Sequence, residues 1–451
     1  MSIKPLCNYC GQELKDFGGL LFSPPNKNIV KKYHICKNCY NELRPIDYFI
    51  DLPYSKSLTN RQLVIAASTI IEEKLENDKD IRVTFVGDFR DNSKKVCDDI
   101  RYMICGLESL GFEVSITENN LLLGPFKKQD PKYLYISCGS AATVLRFLAA
   151  LSAKIYGKSY RYIKFVVSKS LEKRPFSDLL NILDSILDSK ELQESINISC
   201  LKTTQYYTAI KLSKLSKSVT AYDVKTSDYF LEMTNKLYSE YHKDLYVYPV
   251  VDEFAMSYFL AYAFMTGSKF YFNEASTNKD FKKSLENFIN SDYFKIFGYF
   301  DEKNVFIPDR EGVPLVNGVR VIDINSFNDL IFSCFQLCIF SPVLIKGLEN
   351  LEYKETNRLL EFQKLMNCYG IKYTTNIEKK EIYLEKYSYT SYNMEFIKDI
   401  TIDHRIFMGS YVFSKALGLP LPKSSDQCYT KTFPMFLFAM SKLDKGNVIV
   451  P

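Results

Sequence analysis

A chain of 451 residues exceeds the size at which a single hydrophobic core stops growing, so the sequence predicts two or three domains. A net charge of +5 over this length is too dilute for a nucleic-acid-binding stripe, but it suits anionic small substrates. No apolar run reaches the roughly 18 residues of a membrane-spanning helix, and the first residues lack the apolar core of a secretion signal. With 12 cysteines and no such signal, we expect a cytoplasmic protein in a reducing compartment, with no membrane and no nucleic-acid partner.

Two C-x-x-C pairs mark the first predicted unit, residues 1–45. They are Cys7, Cys10, Cys36 and Cys39. Four thiolates in this arrangement favour tetrahedral Zn²⁺, whose binding supplies the folding energy that so short a segment lacks. Two alternatives stay open: the cysteines are unligated, or His34 replaces one of them. The unit resembles the small four-cysteine modules of some chaperone subunits, so a protein partner or self-association through it stays open as well.

After this unit, strands and helices alternate. Strands are predicted at 81–86, 133–136 and 162–167, and helices at 97–110, 141–153 and 176–188. A helix-strand-strand unit recurs around Gly111, Gly298 and Gly370, and each glycine is expected to end a helix in the left-handed conformation. This repetition predicts an α/β fold with at least two repeating halves.

Lys56, Ser57 and Arg61 stand at the start of a predicted apolar helix. Cationic side chains at a helix N-terminus can hold an anion, because the free N–H groups and the helix dipole add to their charge. The alternative is a solvated lysine and arginine flanking an ordinary helix cap.

Two later segments carry acids beside cations. In one, Glu355 and Arg358 share a helical face and follow Lys354, which suits proton transfer. An ordinary surface charge pair is the alternative. The other is Asp403-His404-Arg405, which precedes an apolar helix and in which a structural histidine is the simpler interpretation.

Together these segments resemble the EPSP synthase family from about residue 48 to 442. The motifs that carry the resemblance occur in the family's order. They are Ser55-Lys56-Ser57-Leu-Thr-Asn-Arg61, Cys138-Gly139-Ser140-Ala-Ala142-Thr-Val-Leu-Arg146, Arg174-Pro-Phe176, Thr203-Thr204-Gln205, Asp252, Asp329, Lys354-Glu355-Thr-Asn-Arg358, Asp403-His404-Arg405 and Lys431-Thr-Phe-Pro434.

The resemblance implies a two-lobed inside-out α/β barrel of six βαβαββ units. One lobe would comprise residues 46–61 with 248–451, and the other residues 62–247, with hinges near residues 60 and 247. The lobes would close over the substrates.

The resemblance also implies transfer of the enolpyruvyl group of phosphoenolpyruvate to the 5-hydroxyl of shikimate 3-phosphate, without a catalytic cofactor. The residues implied to bind phosphoenolpyruvate are Lys56, Arg174, Gln205, Arg358, Arg405, Lys431 and, by contact, Ala142. Those implied to bind the acceptor are Ser57, Arg61, Thr203, Thr204, Gln205, Ser227 and Asp329. The implied catalytic set is Asp329, Glu355, Lys56 and Lys354, with Glu355 exchanging the proton at C3 and Asp329 taking that of the acceptor hydroxyl. For Asp329, a plain helix N-cap is the alternative.

Several positions depart from the family pattern. Ser140 replaces an asparagine, Ala142 a glycine, and Phe230 a tyrosine that would touch the acceptor phosphate. These departures bear more on the identity of the acceptor than on the binding of phosphoenolpyruvate. The alternatives are therefore transfer to another cyclic alcohol in a specialised pathway and a catalytically idle scaffold that uses the zinc module. The related UDP-N-acetylglucosamine transferases fit the motifs less well.

Overall fold

The computed structural model describes most of the chain. The described residues are 13, 17–22, 32–36, 48–172, 176–188, 195–200, 203–224, 229–240, 246–272, 295–301, 305–310, 315–349, 351–388, 393, 395, 398–400 and 403–443. Cys7, Cys10, Cys39, Arg174 and Ser227 lie outside them, as does the side chain of Cys36. The predicted zinc site and two of the predicted substrate contacts therefore stay predictions.

Helices and strands alternate along the described chain. The α-helices are α1 (Lys56–Asn77), α2 (Asp98–Leu110), α3 (Ala142–Tyr156), α4 (Lys169–Glu172), α5 (Ser177–Asp188), α6 (Gln205–Leu212), α7 (Tyr229–Glu240), α8 (Glu253–Thr266), α9 (Ile331–Cys334), α10 (Arg358–Tyr369), α11 (His404–Ala416) and α12 (Phe436–Ser441). The 3₁₀ turns are Pro131–Tyr133, Gly157–Tyr162, Asn325–Leu330, Phe335–Ile339, Leu351–Tyr353 and Cys428–Lys431. The strands are β1 (Phe17–Phe22), β2 (Lys32–Cys36), β3 (Tyr48–Ile50), β4 (Val83–Val86), β5 (Phe112–Ile116), β6 (Asn120–Phe126), β7 (Tyr135–Gly139), β8 (Lys164–Val167), β9 (Ser195–Ser199), β10 (Ser218–Tyr222), β11 (Tyr246–Val247), β12 (Phe270–Phe272), β13 (Gly298–Phe300), β14 (Val305–Pro308), β15 (Arg320–Asp323), β16 (Val343–Lys346), β17 (Tyr373–Asn376) and β18 (Glu381–Leu384). The helices predicted at 97–110, 141–153 and 176–188 are confirmed to within a few residues.

Three four-stranded sheets share one topology. Their strand orders are β11-β4-β6-β5, β3-β12-β14-β13 and β15-β16-β18-β17. In each sheet the first pair is parallel and the other two pairs are antiparallel. The other described sheets are two-stranded: the parallel pairs β7-β8 and β9-β10, and the antiparallel pair β1-β2. The mixed α/β fold predicted from the repeated units is therefore present.

Each hairpin of the four-stranded sheets begins near one of the three predicted glycines. Gly111 and Gly370 end α2 and α10 in the left-handed region, as predicted. Gly298 differs, because it is the first residue of β13 with φ +154°. A Cβ there would lie 2.1 Å from the carbonyl oxygen of Ile307, so close strand approach, not helix capping, requires this glycine.

Two clusters of buried apolar side chains form the cores. The first contains Ile50 and Leu52 and then residues from 250–443, whereas the second contains Tyr54 and residues from 63–247. Every residue of α8 is buried, and strand β15 buries alternate residues while exposing the others. The main helix of the first core thus lies inside, with a sheet exposing one face to solvent. The lobe boundaries given by the resemblance stay a prediction.

In the described part of the chain, no helix combines the length and apolar character that a membrane span requires.

Candidate active site

The predicted functional segments lie where helices begin. Lys56 is the first residue of α1, whose N-cap Ser55 accepts a hydrogen bond from the backbone of Leu58. Arg358 is the first residue of α10 and is preceded by the N-cap Asn357. Similarly, Asp403 caps α11 by accepting from the backbone N–H of Arg405 at 2.9 Å, while α3 begins at Ala142 and α6 at Gln205. Side chains placed here lie beside free N–H groups and the positive end of a helix dipole.

A buried guanidinium joins three carboxylates at the centre of the site. Arg358, 1% exposed, donates from Nε to Asp403 at 2.8 Å and from Nη2 to Glu355 at 2.7 Å. Its Nη1 donates to Asp329. These acids come from three separate segments of the first core, so one arginine fixes their relative positions. Charge-assisted hydrogen bonds of this kind are about twice as strong as neutral ones.

Further cations surround this group. Lys431 Nζ lies 3.1 Å from Glu355 and donates to the carbonyl oxygen of Ser140, also at 3.1 Å. Lys354 Nζ is 3.5 Å from Asp329, and Arg405 Nε is 3.5 Å from the other oxygen of Asp329. Arg358, Arg405, Lys354 and Lys431 thus lie around the same carboxylates, and cations gathered in this way can bind an anion.

Lys56 approaches the cluster around Arg358 from the side of the second core. Its Nζ pairs with Asp99 at 3.3 Å and lies close enough to Arg405 and Glu355 to interact electrostatically with both. Burial by itself lowers the pKa of Lys56, but the Asp99 and Glu355 carboxylates leave that pKa above its ordinary value. The amine is thus held in its charged form.

An aromatic stack connects the two arginines predicted to hold different substrates. The Arg405 guanidinium lies 4.9 Å from the ring centroid of Phe254, which stacks on Phe230 at 6.1 Å. The Arg61 guanidinium lies 5.4 Å from the other member of this pair, Phe230. Arg61 also donates to Thr234 at 3.1 Å. Because Phe254 belongs to the first core and Phe230 packs against it, the stack spans the junction between the cores.

Gln205 lies in a second polar group. Its side-chain nitrogen donates to Thr143 at 2.9 Å, and its side-chain oxygen accepts from Arg146. The backbone N–H of Gln205 donates to Thr203 at 3.2 Å, and Thr204 is the residue that precedes α6. This group lies beside the central cluster, because Thr143 follows closely on Ser140, which contacts Lys431.

Protonation states follow from these contacts. Burial alone would raise the pKa of Asp329, but Arg358, Lys354 and Arg405 hold it well below its usual range. Burial and the neighbouring cations Lys56 and Arg405 place the pKa of His404 well below its ordinary value. At neutral pH the site therefore holds an ionised Asp329 and an uncharged imidazole.

The structure brings together most of the predicted site residues that it describes. The central cluster contains Lys56, Asp329, Lys354, Glu355, Arg358, Arg405 and Lys431, and the adjoining group contains Ser57, Arg61, Thr203, Thr204 and Gln205. Ala142 is the buried first residue of α3, directly before Thr143. The surface-pair interpretation of Glu355 and Arg358 is wrong, because Arg358 is buried and joins three acids. The helix-cap alternative for Asp329 is also wrong: Leu330 occupies the N-cap position of α9, and the Asp329 carboxylate pairs with Arg358.

Three contributing residues had no role assigned from sequence. Asp403 holds Arg358, Asp99 holds Lys56, and Arg146 holds Gln205. Asp403 and Arg146 lie inside the recognised motifs, but their partners are 45 and 59 residues away and follow only from the fold. Within the described ranges, no group of three or more His, Cys, Asp or Glu side chains is arranged to hold a metal ion.

Comparison with known proteins places these features in context. The chain is 23% identical over 461 residues to the 3-phosphoshikimate 1-carboxyvinyltransferase of Pseudoalteromonas translucida, covering 88% of this chain and 96% of that protein. It is 25% identical over 442 residues to the enzyme of the same name from Hamiltonella defensa, covering 87% and 95%. No protein-family model matches the sequence.

Solved structures show the same architecture. EPSP synthase from Acinetobacter baumannii superimposes with a TM-score of 0.53 at 14% identity, covering 95% of this chain and 99% of that one. The enolpyruvyl transferase NikO from Streptomyces tendae gives a TM-score of 0.52 at 11% identity, covering 89% and 95%. At these identities the likeness establishes the enolpyruvyl transferase fold.

The Arg358 cluster predicts a pH-dependent stability effect. Replacing Arg358 by Met leaves buried carboxylates without their partner, so we expect a loss of about 3–5 kcal/mol at pH 7. In the wild type, the pKa of Asp329 is lower in the folded state than in the unfolded state. The stability that this difference contributes is present above the unfolded-state pKa and is lost as the pH falls through the folded-state pKa. Without Arg358 the pKa of Asp329 should rise, so the difference in stability between the two proteins should shrink between pH 7 and pH 5. Urea denaturation at both pH values measures this.

Lys364→Met is the matched control. Lys364 lies on the same helix and pairs with Glu361, but 48% of its side chain is exposed. Such surface pairs contribute about 0–1 kcal/mol. An Arg358→Met variant as stable as this control, or equally destabilised at both pH values, would contradict the prediction.

Proposed function

We propose that this chain is an enolpyruvyl transferase that moves the enolpyruvyl group of phosphoenolpyruvate to the 5-hydroxyl of shikimate 3-phosphate, releasing phosphate. This is the step that leads through the shikimate route to chorismate and the aromatic amino acids. The observation that carries the proposal is the convergence of cations and two candidate proton-transfer acids from separate segments of the chain. They are Lys56, Lys354, Arg405 and Lys431 with Asp329 and Glu355. The similarity to 3-phosphoshikimate 1-carboxyvinyltransferases over nearly their whole length supports it.

Phosphoenolpyruvate carries a carboxylate and a phosphate, and each needs cationic partners. We assign the carboxylate to Arg405 and Arg358, and the phosphate to Lys56, Lys431 and Gln205. Arg174, which lies outside the described residues, is also assigned to the phosphate. Arg358 already bonds to three acids. Phosphoenolpyruvate would therefore replace an acid on Arg358 and not simply add to it.

This exchange prepares the acids for proton transfer. While Asp329 is paired with Arg358 its pKa is low, so it is a poor base. An incoming carboxylate that takes over the arginine would raise that pKa. Asp329 would then accept the proton of the acceptor hydroxyl, and Lys354, 3.5 Å away, would limit the rise.

The reaction balances with these two acids. The acceptor oxygen bonds to C2 of phosphoenolpyruvate while C3 takes a proton from Glu355, which gives a tetrahedral intermediate. Glu355 then removes a proton from C3 as the C2–O bond to phosphate breaks, which restores the protonated Glu355. The proton that Asp329 took from the acceptor hydroxyl passes to the departing phosphate, which leaves with the bridging oxygen as hydrogen phosphate. Lys431, 3.1 Å from Glu355, would bind the departing phosphate and hold Glu355 in place. No cofactor is consumed.

We propose that the acceptor is bound by Ser57, Arg61, Thr203, Thr204 and Gln205, with Asp329 at the reacting hydroxyl. Ser227, which lies outside the described residues, is also proposed to bind it. Arg61 is buried and oriented by Thr234 and Phe230, so its guanidinium is fixed before a ligand arrives. Phe230 lacks the hydroxyl that the family pattern places against the acceptor phosphate. This observation favours one alternative, transfer to a different cyclic alcohol.

We further propose that the two cores correspond to the two lobes of an inside-out α/β barrel, one comprising residues 46–61 with 248–451 and the other residues 62–247. The buried apolar side chains support this division except at Tyr54, which packs in the second core. The chain crosses between the cores near Tyr54 and Val251, which form an antiparallel bridge. A cytoplasmic location is part of the proposal. The eight cysteines whose side chains the structure describes are free thiols, which fits a reducing compartment.

The N-terminal cysteines Cys7, Cys10, Cys36 and Cys39 are proposed to bind a structural Zn²⁺ ion. Their spacing supports this, because two thiolate pairs supply the four soft ligands that structural zinc prefers. Strand β1 lies between the pairs and pairs with β2, which ends at Cys36, so that Cys36 is opposite Phe17 in the register. The ion would stabilise a small unit that can bind a partner or a second copy.

The acceptor is tested by measuring phosphate release from phosphoenolpyruvate with a panel of alcohols. We expect release with shikimate 3-phosphate and little with shikimate, because the acceptor phosphate is bound by Thr203 and Thr204. Release with another cyclic alcohol but not with shikimate 3-phosphate would keep the transfer and overturn the acceptor. An absence of release with every alcohol would favour the idle scaffold.

Glu355→Gln tests the proton transfer. Without a group that can give and take the C3 proton, kcat should fall by about 10²–10⁴, and deuterium from solvent should no longer enter C3. Glu361→Gln is the matched control, because Glu361 lies in the first turn of α10, six residues after Glu355, but pairs with the exposed Lys364; kcat should stay within about twofold. Equal activity of the two variants would remove Glu355 from the mechanism.

Metal analysis tests the zinc proposal. Dialysed protein should contain about one zinc ion per chain, and a Cys7→Ser, Cys10→Ser double variant should lose it. Cys105→Ser serves as the control, because Cys105 is an exposed, free cysteine on α2. Protein that holds no zinc when purified without chelators, or a double variant that keeps it, would refute the site.

A further inference from the structure

A hydrogen bond between residues 332 positions apart connects the two cores. The Thr430 hydroxyl lies 2.6 Å from Oδ2 of Asp98. Thr430 belongs to the 3₁₀ turn Cys428–Lys431, which Tyr429 anchors in the first core, whereas Asp98 begins α2 in the second core. The next residue along the chain, Lys431, makes its own contact across the junction, with Ser140.

The Asp98 carboxylate is also held by contacts within the second core. Its Oδ1 accepts from Arg101 Nη1 at 3.1 Å, and Arg101 is held in turn by the carbonyl oxygen of Asp91 at 2.7 Å. As the first residue of α2, the Asp98 carboxylate also lies at the favourable end of the helix dipole. Its Oδ2 is consequently presented towards the turn in a defined position.

Thr430 has one hydroxyl proton and two acceptors within reach. These are Asp98 Oδ2 at 2.6 Å and the carbonyl oxygen of Gln427 at 3.0 Å. A charged acceptor at the shorter distance makes the stronger bond. The proton therefore goes to Asp98, and the bond is one between cores.

We propose that Asp98 and Thr430 form a latch that docks the turn Cys428–Lys431 against α2 and thereby positions Lys431 for the phosphate of phosphoenolpyruvate. The proposal rests on the proposed function of Lys431. Neither latch residue touches the reacting atoms, so both are positioning residues. Their effect on the site passes through the backbone that Thr430 shares with Lys431.

The latch makes a specific kinetic prediction. If the turn exchanges between docked and undocked states and only the docked state binds phosphoenolpyruvate, the apparent affinity falls with the docked fraction. Weakening the latch then raises KM for phosphoenolpyruvate, whereas saturating ligand restores docking and keeps kcat. Removing Lys431 itself should instead lower kcat.

Thr430→Val removes the hydroxyl with little change in shape. We expect KM for phosphoenolpyruvate to rise about three- to tenfold, in line with the loss of one partly exposed charge-assisted hydrogen bond, with kcat within about twofold of wild type. Thr430→Ser should restore KM. Thr432→Val, two residues along, is the control, because the buried Thr432 hydroxyl has no hydrogen-bond partner among the described residues; its KM should be unchanged.

Hydrogen exchange tests docking without any reaction. The backbone N–H groups of Thr432 and Phe433 donate to Tyr429 in the docked turn and should exchange faster in ligand-free Thr430→Val than in wild type or Thr430→Ser. An unchanged KM together with unchanged exchange, or a fall in kcat at constant KM, would overturn the latch. If wild type releases no phosphate with any alcohol, the proposed function fails, while the exchange comparison still decides whether the latch exists.

Discussion

The site depends on the buried guanidinium of Arg358. One side chain, almost fully removed from water, binds Asp329, Glu355 and Asp403 from three separate segments. A buried charge is tolerated only when it is paired and hydrogen-bonded, so this arrangement holds together or fails as a unit. It fixes the start of α10 against the start of α11, and it brings Asp329 towards Arg405 and Lys354.

Both cores contribute cationic side chains around this centre. Lys56 and Lys431 approach the acids from α1 and from the C-terminal turn, and the Phe254–Phe230 stack keeps Arg405 and Arg61 on either side of the junction. Without a ligand, the site's own carboxylates partly neutralise the cations. In the proposed mechanism, an anionic substrate that displaces Asp329 from Arg358 raises the basicity of Asp329 and so couples binding to catalysis.

Much of the fold and part of the candidate site could be predicted from the sequence. Contacts between residues far apart along the chain could not, because they depend on the folded arrangement. The helix start at Lys56, the cap at Asp403 and the hairpins after Gly111 and Gly370 follow from local capping and turn chemistry. The shared helical face predicted for Glu355 and Arg358 is wrong, because α10 begins only at Arg358 and Glu355 bonds to it from the preceding segment. The Asp98–Thr430 bond and the Phe230–Phe254 stack join residues far apart along the chain, so no local pattern signals them. For Gly298 the sequence predicts a helix end, because its neighbours resemble those of Gly111 and Gly370, whereas the structure requires this glycine for a close strand contact. The roles given to individual site residues, the lobe boundaries and the zinc ligands stay predictions.

The most direct measurement follows the oxygen atom that bridges carbon and phosphorus in phosphoenolpyruvate. Enolpyruvyl transfer breaks the bond from carbon to this oxygen, whereas phosphoryl transfer or simple phosphatase action breaks the bond from phosphorus. With ¹⁸O at the bridge and shikimate 3-phosphate as acceptor, the account predicts that the label appears in the released phosphate. Label retained in pyruvate, with unlabelled phosphate, would contradict it.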